Sequence, residues 1–245
     1  MLRRIGTGTA SSVAAAQLEA AAIDLGAPLV IRVSPRARRL LLRVDATARR
    51  VELVLPRGVA AERGFKFLAA QRGWIAARLA ALPVPVAFAP GAVVPLFDVP
   101  HRICLENNPA APAISVGDGE IRVRGAPEHV ARRVRDHLTR LARQELGRRA
   151  RIYAAEIGRK VTRIGVRDTR SRWGSCSAAG ALSFSWRLVL APEAVVDYVV
   201  AHEVAHLAEM NHGPRFWQLV RTMVPDTAAP RAWLKRHRSR LFSYG

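Results

Sequence analysis

The segment Val199–Trp217, VVAHEVAHLAEMNHGPRFW, constrains this chain more than any other, because it holds three of the seven histidines within eleven positions. Valines and alanines surround the first two histidines, which predicts a largely buried helix over residues 192–210, with Pro192 at its first position. A buried helix seldom carries two imidazoles and a carboxylate unless those groups have partners. We therefore expect this helix to be organised around a bound group.

The pattern H-E-x-x-H is formed by His202, Glu203 and His206. Residues four apart on a helix share a face and lie ~6 Å apart along the axis, so both imidazoles can reach one metal ion. Glu203 projects onto the neighbouring face, where it can accept a proton from a metal-bound water. Chance would produce the pattern only roughly 0.01 times in a chain of this composition. The sequence therefore predicts one Zn²⁺ ion, with Glu203 as general base.

A catalytic zinc site needs a third protein ligand and keeps its fourth position open. His212 is the leading candidate, because it follows His206 by six residues and a Gly-Pro pair after it lets the chain turn. Glu209 is the rival, and it could reach the ion only if the helix ended early. Cys176 could supply a thiolate, although a lone cysteine in a connector is more often an ordinary thiol.

Three further side chains are candidates for contact with a substrate or a transition state. Tyr198 or Arg187 could stabilise the oxyanion of a tetrahedral intermediate. Asn211 could orient His212 or cap the helix. The segment ALSFSWRL, residues 181–188, is expected to offer a strand edge to which a peptide could add.

The remainder of the chain predicts an α+β fold with a β-rich N-terminal half and a helical C-terminal half. Short alternating segments at residues 29–33, 39–44 and 50–55 are typical of an antiparallel meander. One or two helices with an apolar stripe follow within residues 56–82. Farther on, Gly117-Asp118-Gly119 marks the turn of a hairpin.

Helical spacing of apolar residues runs from Pro127 to about Ile157, and the other face of this helix is rich in arginine. The segments TRIGVRD and ALSFSWRLVL are then expected to form a β-hairpin joined by GSCSAAG. A short helix is predicted from Pro214, followed by a basic amphipathic tail. We expect residues 1–26 to be a poorly ordered extension and residues 27–245 to be one domain, with subdomains at 27–125 and 126–245.

Composition indicates the compartment and one class of partner. The two cysteines do not form a disulfide framework, and no apolar run is long enough to span a membrane, which predicts a cytoplasmic protein without membrane insertion. The net charge is +20, and residues 121–170 alone hold 15 basic and 5 acidic residues. Such an excess is compatible with nucleic acid or another polyanion as a partner, but an arginine-rich composition with a solvated surface is the preferred interpretation.

The segment from Arg170 to Trp217 resembles the YgjP-like metallopeptidase domain family, bacterial zincins related to the SprT-like proteases. The resemblance is carried by the blocks RWGSCS, L-x-x-A-P, YVV-x-HE-x-x-HL and NHG-x-x-FW. LPRGV and RGWIAARL extend it to about residues 28–240. Val204 stands where leucine is usual, and the first 26 residues lie outside the resemblance.

This resemblance implies a zincin-like C-terminal half in which His202, His206 and His212 hold zinc and Glu203 is the catalytic acid/base. It implies a protein or peptide substrate. A nucleotide pyrophosphatase activity is also associated with the family, so a metal-dependent nucleotide hydrolase is an alternative. A polyanion-binding protein with an idle zinc site is a further alternative.

Overall fold

The computed structural model describes residues 25–46, 48–169 and 172–245. The predicted extension, residues 1–26, lies outside the described residues except for its last two positions. The described chain is a mixed α+β protein with three small sheets and six α-helices, which confirms the predicted class. It divides into two compact units between Pro83 and Val84. The predicted subdomain boundary at residues 125/126 falls within the second unit and stays a prediction.

The N-terminal unit contains a three-stranded sheet and two helices around a small apolar core. Its elements are β1 (Leu29–Ser34), β2 (Leu41–Asp45), β3 (Arg50–Pro56), α1 (Ala61–Ala70) and α2 (Arg72–Ala80). The core consists of buried aliphatic side chains: Leu29, Val51, Leu53, Leu55, Leu68 and Ile75.

The predicted antiparallel meander is wrong in its pairing. The strand order is β1-β3-β2, with β1 parallel and β2 antiparallel to β3. Every second residue of β3 is buried, whereas β1 and β2 are more exposed. The most buried strand therefore occupies the centre, and its more exposed neighbours form the two edges. Alternation in the sequence indicates strands, but it does not specify which strands pair.

The C-terminal unit begins with a four-stranded sheet of order β4-β5-β7-β6. Its strands are β4 (Val93–Leu96), β5 (Val99–Glu106), β6 (Ile114–Gly117) and β7 (Glu120–Arg124). The predicted hairpin is confirmed, because β6 and β7 pair antiparallel. Asp118 and Gly119, between them, both have positive φ, as a tight hairpin turn requires.

The rest of this unit combines helices with a second small sheet. After a 3-10 turn at Pro127–His129 come α3 (Val130–Glu156), β8 (Arg163–Arg167), β9 (Gly174–Cys176), β10 (Ala181–Ser185), a 3-10 helix (Trp186–Leu190), α4 (Glu193–Ala205), α5 (Pro214–Met223) and α6 (Ala228–Phe242). The long helix and the short helix from Pro214 agree with the sequence prediction. Among the described residues, no helix has the length and apolar character needed to cross a membrane.

The predicted hairpin between TRIGVRD and ALSFSWRLVL is wrong. β8 pairs parallel with β10, while β9, inside the predicted connector, pairs antiparallel with β10. β10 ends at Ser185, although the strand was predicted to continue to residue 190. Residues 186–190 are all buried, so they lack the alternation of buried and more exposed side chains seen in β10. The Ser185 side chain accepts a hydrogen bond from the Arg187 backbone N–H, which starts the 3-10 helix.

Helix α4 lies at the centre of the C-terminal unit, and nine of its thirteen residues are buried, so polar groups on it need partners. It contacts α3, α5, α6 and β9. Arg149 of α3 ties the two central helices together, donating to Asp197 at 2.7 Å and to Glu193 at 3.3 Å. These hydrogen bonds anchor the N-terminal part of α4. The histidines and the glutamate of the sequence motif lie at its other end.

Candidate metal centre

The last turn of α4 carries His202 and Glu203, and His206 is the residue that caps the helix. The helix predicted to reach Met210 therefore ends five residues early. The chain tightens after Ala205: the backbone N–H of Leu207 donates to the carbonyl of Val204, and that of Ala208 to Ala205. Bonds three residues apart end an α-helix in this way and turn the following residues back.

The three histidines of the sequence motif converge. The ligand nitrogens of His202, His206 and His212 all lie within 4.8 Å of one another, and the Nε2 atoms of His202 and His212 are 3.1 Å apart. Two nitrogens that each lie ~2.0–2.1 Å from one tetrahedral zinc ion would be ~3.3 Å apart. Three imidazoles at this spacing therefore fit a single metal ion.

Burial keeps His202 and His206 in the form that binds metals. The pKa of His202 is lowered to about 4, first by burial and then by the neighbouring His206 and His212, with Arg231 adding to the effect. The pKa of His206 is also lowered, again chiefly by burial. A histidine must be neutral to offer a lone pair, so both rings can act as ligands at neutral pH.

An aromatic side chain from α5 supports the cluster. Phe216 is fully buried, and its ring centroid lies 4.9, 4.6 and 4.7 Å from those of His202, His206 and His212. One face of the three-histidine cluster is thus closed by an apolar ring. The sequence predicted no role for this residue, although it belongs to the block NHG-x-x-FW and its position four residues after His212 was a usable signal.

Glu203 lies against a glycine of the neighbouring strand β9. A Cβ atom on Gly174 would come 2.4 Å from Cγ and 2.6 Å from Oε1 of Glu203. The carboxylate therefore occupies space that only a glycine leaves open. Glu203 is 7% exposed, and burial raises its pKa to about 7, with Arg172 acting in the opposite direction. The sequence analysis treated Gly174 as part of a connector and did not single it out.

The two rival ligands lie outside the convergent group. Among the described residues, only the three histidines form a set of side chains placed to hold a metal ion. Glu209 meets the site through its backbone carbonyl, which lies 3.1 Å from Nδ1 of His206. Cys176 is a free thiol whose Sγ donates to the Ser177 carbonyl at 3.4 Å, and burial raises its pKa.

The candidate substrate contacts are placed very differently. Tyr198 is buried, its ring centroid lies 6.0 Å from that of His202, and burial raises its pKa. Asn211 is exposed, and its carbonyl accepts from the Gly213 N–H. Arg187 is buried and donates to Asp168 and to the carbonyls of Leu241 and Tyr244. These contacts join Arg187 to the C-terminal residues rather than to the histidines.

The expected substrate edge at residues 181–188 is wrong. β10 is the central strand of its sheet, so both of its edges are already paired with β8 and β9. β9 instead is an edge strand, and it is the strand that carries Gly174 beside Glu203. Within the part of the chain that the structure describes, β9 is therefore the edge strand that lies against the carboxylate.

Comparison with known proteins gives one match. A family model described as YgjP-like, metallopeptidase domain, matches residues 38–237, which is more than half of the chain. The match spans the three histidines, Glu203 and Gly174. No curated protein and no solved structure matches the chain.

Proposed function

The chain belongs to the YgjP-like metallopeptidase domain family, and from this premise we propose that it is a zinc-dependent peptidase with a zincin-like catalytic half. The observation that carries the proposal is the convergence of three histidine nitrogens within 4.8 Å, with a buried glutamate directly after the first of these histidines on α4. A metallopeptidase requires this combination of a metal-binding set and an adjacent proton acceptor.

In this proposal His202, His206 and His212 hold one Zn²⁺ ion. Three neutral imidazoles form a donor set that zinc accepts readily and that leaves a fourth position for solvent or substrate. When bound there, zinc would polarise the scissile carbonyl and lower the pKa of a coordinated water to roughly 7. Phe216 keeps the three rings together and excludes water from one side of them.

Glu203 moves the proton. Its carboxylate accepts a proton from the attacking water and returns it to the amine of the leaving peptide. A proton carrier works best when its pKa lies near the working pH, and burial raises the pKa of Glu203 to about 7. Gly174 fixes the position of this carboxylate, since a side chain at that position would displace it.

The backbone of β9 is the proposed binding edge for an extended peptide. A peptide that pairs with an edge strand gains main-chain hydrogen bonds, which bind a range of sequences. Because Gly174 lies directly against Glu203, a peptide paired along β9 would pass close to the carboxylate. Tyr198, whose ring lies 6.0 Å from His202, is the side chain best placed to donate to an oxyanion.

The proposal is tested with Glu203→Gln, which keeps the side-chain shape but removes the proton acceptor. We expect the variant to bind one zinc ion as the unmodified chain does, while its rate of casein hydrolysis falls about 10²–10⁴-fold. Glu209→Gln is the control, since the Glu209 side chain lies outside the histidine group. Hydrolysis of casein by Glu203→Gln at the unmodified rate would rule out this mechanism.

A second candidate is nucleotide hydrolysis at the same site, and two arginines favour it. Burial raises the pKa of Glu203 and of Tyr198, and Arg172 and Arg231, respectively, oppose this rise. Arg231 also adds to the lowered pKa of His202, so positive charge acts on the site from the loop before β9 and from α6. Guanidinium groups bind phosphates well. Release of pyrophosphate from nucleoside triphosphates, without cleavage of casein, would favour this candidate over the peptidase.

A further inference from the structure

The arginines of α3 fall into two sets. The helix carries eight arginines and only three acidic residues. Some have structural partners: Arg149 is buried against Asp197, and Arg148 pairs with Glu145 at 3.0 Å. Others are exposed, and three of these, Arg140, Arg143 and Arg151, make no ion pair with any carboxylate of the described residues.

Four exposed arginines of α3, three of which make no ion pair with a described carboxylate, lie along one side of the helix. With 100° per residue, Arg132, Arg140, Arg143 and Arg151 fall within a sector of about 100°, which we call the arginine stripe. The buried residues of the first four turns, such as Val134 and Leu138, lie on the other side of the helix. Farther along, Gly147 and Ala150 are buried within the same sector, so Arg151 lies at its edge. At 1.5 Å per residue the stripe is about 28 Å long.

The composition of the stripe does not serve the stability of the helix. Like charges three or four residues apart repel each other and destabilise a helix by a few tenths of a kcal/mol per pair. Arg140 and Arg143 have this spacing, and Arg140 also contributes to the lowered pKa of His137. The one acidic residue within the stripe, Asp136, lies 3.7 Å from Arg132 in an exposed pair, which a stronger anion can replace.

We propose that the arginine stripe binds the phosphate backbone of duplex nucleic acid. Guanidinium groups bind phosphate oxygens in bidentate fashion, and the continuous exposed part of the stripe, Arg132 to Arg143, is about 16 Å long and matches about five base pairs of duplex. The stripe has no aromatic residue, whereas binding of single strands depends on stacking of bases. It also has no large apolar residue that could enter a membrane. The proposal does not depend on the proposed peptidase activity.

The test measures binding of the full-length chain to a fluorescein-labelled 20-base-pair DNA duplex between 50 and 200 mM KCl, by fluorescence anisotropy. The variant replaces Arg140, Arg143 and Arg151 by glutamine, which preserves helix propensity. Each phosphate contact adds about 0.9 to the slope of log affinity against log salt. Loss of three contacts should therefore reduce the magnitude of this slope by about 2.7. Raising KCl from 50 to 200 mM should then weaken binding by the variant about 40-fold less than it weakens binding by the unmodified chain.

The matched control replaces three exposed arginines of the N-terminal unit, Arg36, Arg38 and Arg39, by glutamine. It removes the same charge, and we expect the slope to change by less than 1. An equal change in both variants would mean that binding follows total charge, which overturns the proposal. The proposal would also be overturned if the unmodified chain did not bind the duplex. It would likewise be overturned if polyglutamate displaced the labelled duplex as effectively as the unlabelled duplex does, because this result would indicate an acidic protein as the partner. Circular dichroism confirms that both variants remain folded.

Discussion

Replacing Gly174 by alanine is expected to disable Glu203 while leaving the three histidines in place. The added Cβ would lie 2.4 Å from Cγ, 2.6 Å from Oε1 and 2.7 Å from Cδ of Glu203. Non-bonded carbon atoms prefer separations of about 3.5–4.0 Å, so the Glu203 side chain must retreat by roughly 1 Å or more. The strand cannot easily give way, since Gly174 is paired with Phe184 of β10.

A shift of this size is large for a proton acceptor. Misplacement by about 1 Å can cost about 10²-fold in rate, and complete loss of general base catalysis costs about 10²–10⁴-fold. We therefore expect kcat for casein hydrolysis to fall by at least about 10²-fold, or ~2.7 kcal/mol in the activation barrier. Overpacking should also lower stability by about 1–3 kcal/mol. Metal content should be unchanged.

The control is Gly165→Ala on β8, the strand on the other side of β10 in the same sheet. A Cβ there would lie 3.9 Å from its nearest neighbours, Leu182 O and Ser183 Oγ, which is ordinary contact. This variant should keep its rate, its metal and its melting temperature. Adding Gly174→Ala to Glu203→Gln should cause no further loss of rate, because both changes act on one group. A folded, metal-loaded Gly174→Ala chain with the unmodified kcat would refute the reasoning, and so would loss of the metal.

Two further predictions concern the third ligand and the anchoring of α4. His212→Ala should lower the zinc content after dialysis, measured by elemental analysis, from one ion per chain to nearly none. Glu209→Ala should retain the ion. The reverse result would make Glu209 the ligand. Arg149→Met should lower the free energy of unfolding by about 2–3 kcal/mol, because it leaves Asp197 without its partner. This is below the cost for a fully buried pair, since the Asp197 side chain is 28% exposed. Arg148→Met, whose pair with Glu145 is exposed, should cost at most about 1 kcal/mol; equal urea midpoints for the two variants would contradict this.

Where the sequence prediction succeeded, the physical cause is local. The hairpin of β6 and β7 depends on two adjacent residues that tolerate positive φ. The long helix α3 is indicated by apolar residues at helical spacing. His202 and His206 can face one ion because four residues complete about one helical turn. Each of these features is encoded within a few consecutive residues, so composition and spacing are enough to find it.

Where the prediction failed, the cause is a choice between distant segments. The parallel pairs β1–β3 and β8–β10 join strands whose sequences would have suited other partners. The end of α4 at Ala205 likewise depends on backbone bonds that a continuing helical pattern does not reveal. In each case several arrangements satisfy the local pattern, and burial of the whole chain selects one of them.

The sequence by itself determined the candidate residues for the proposed chemistry: a pair of histidines one turn apart, a glutamate beside the first of them, and a third histidine after a break. Only the tertiary structure decided how they meet. It brings His212 back to 3.1 Å from His202, sets Phe216 against all three rings, and leaves Glu203 a place over Gly174. The reason is that the distances between the histidines, and the space for the Glu203 carboxylate, depend on contacts between segments that are separate in the sequence. Close packing of the folded chain determines which of these segments touch.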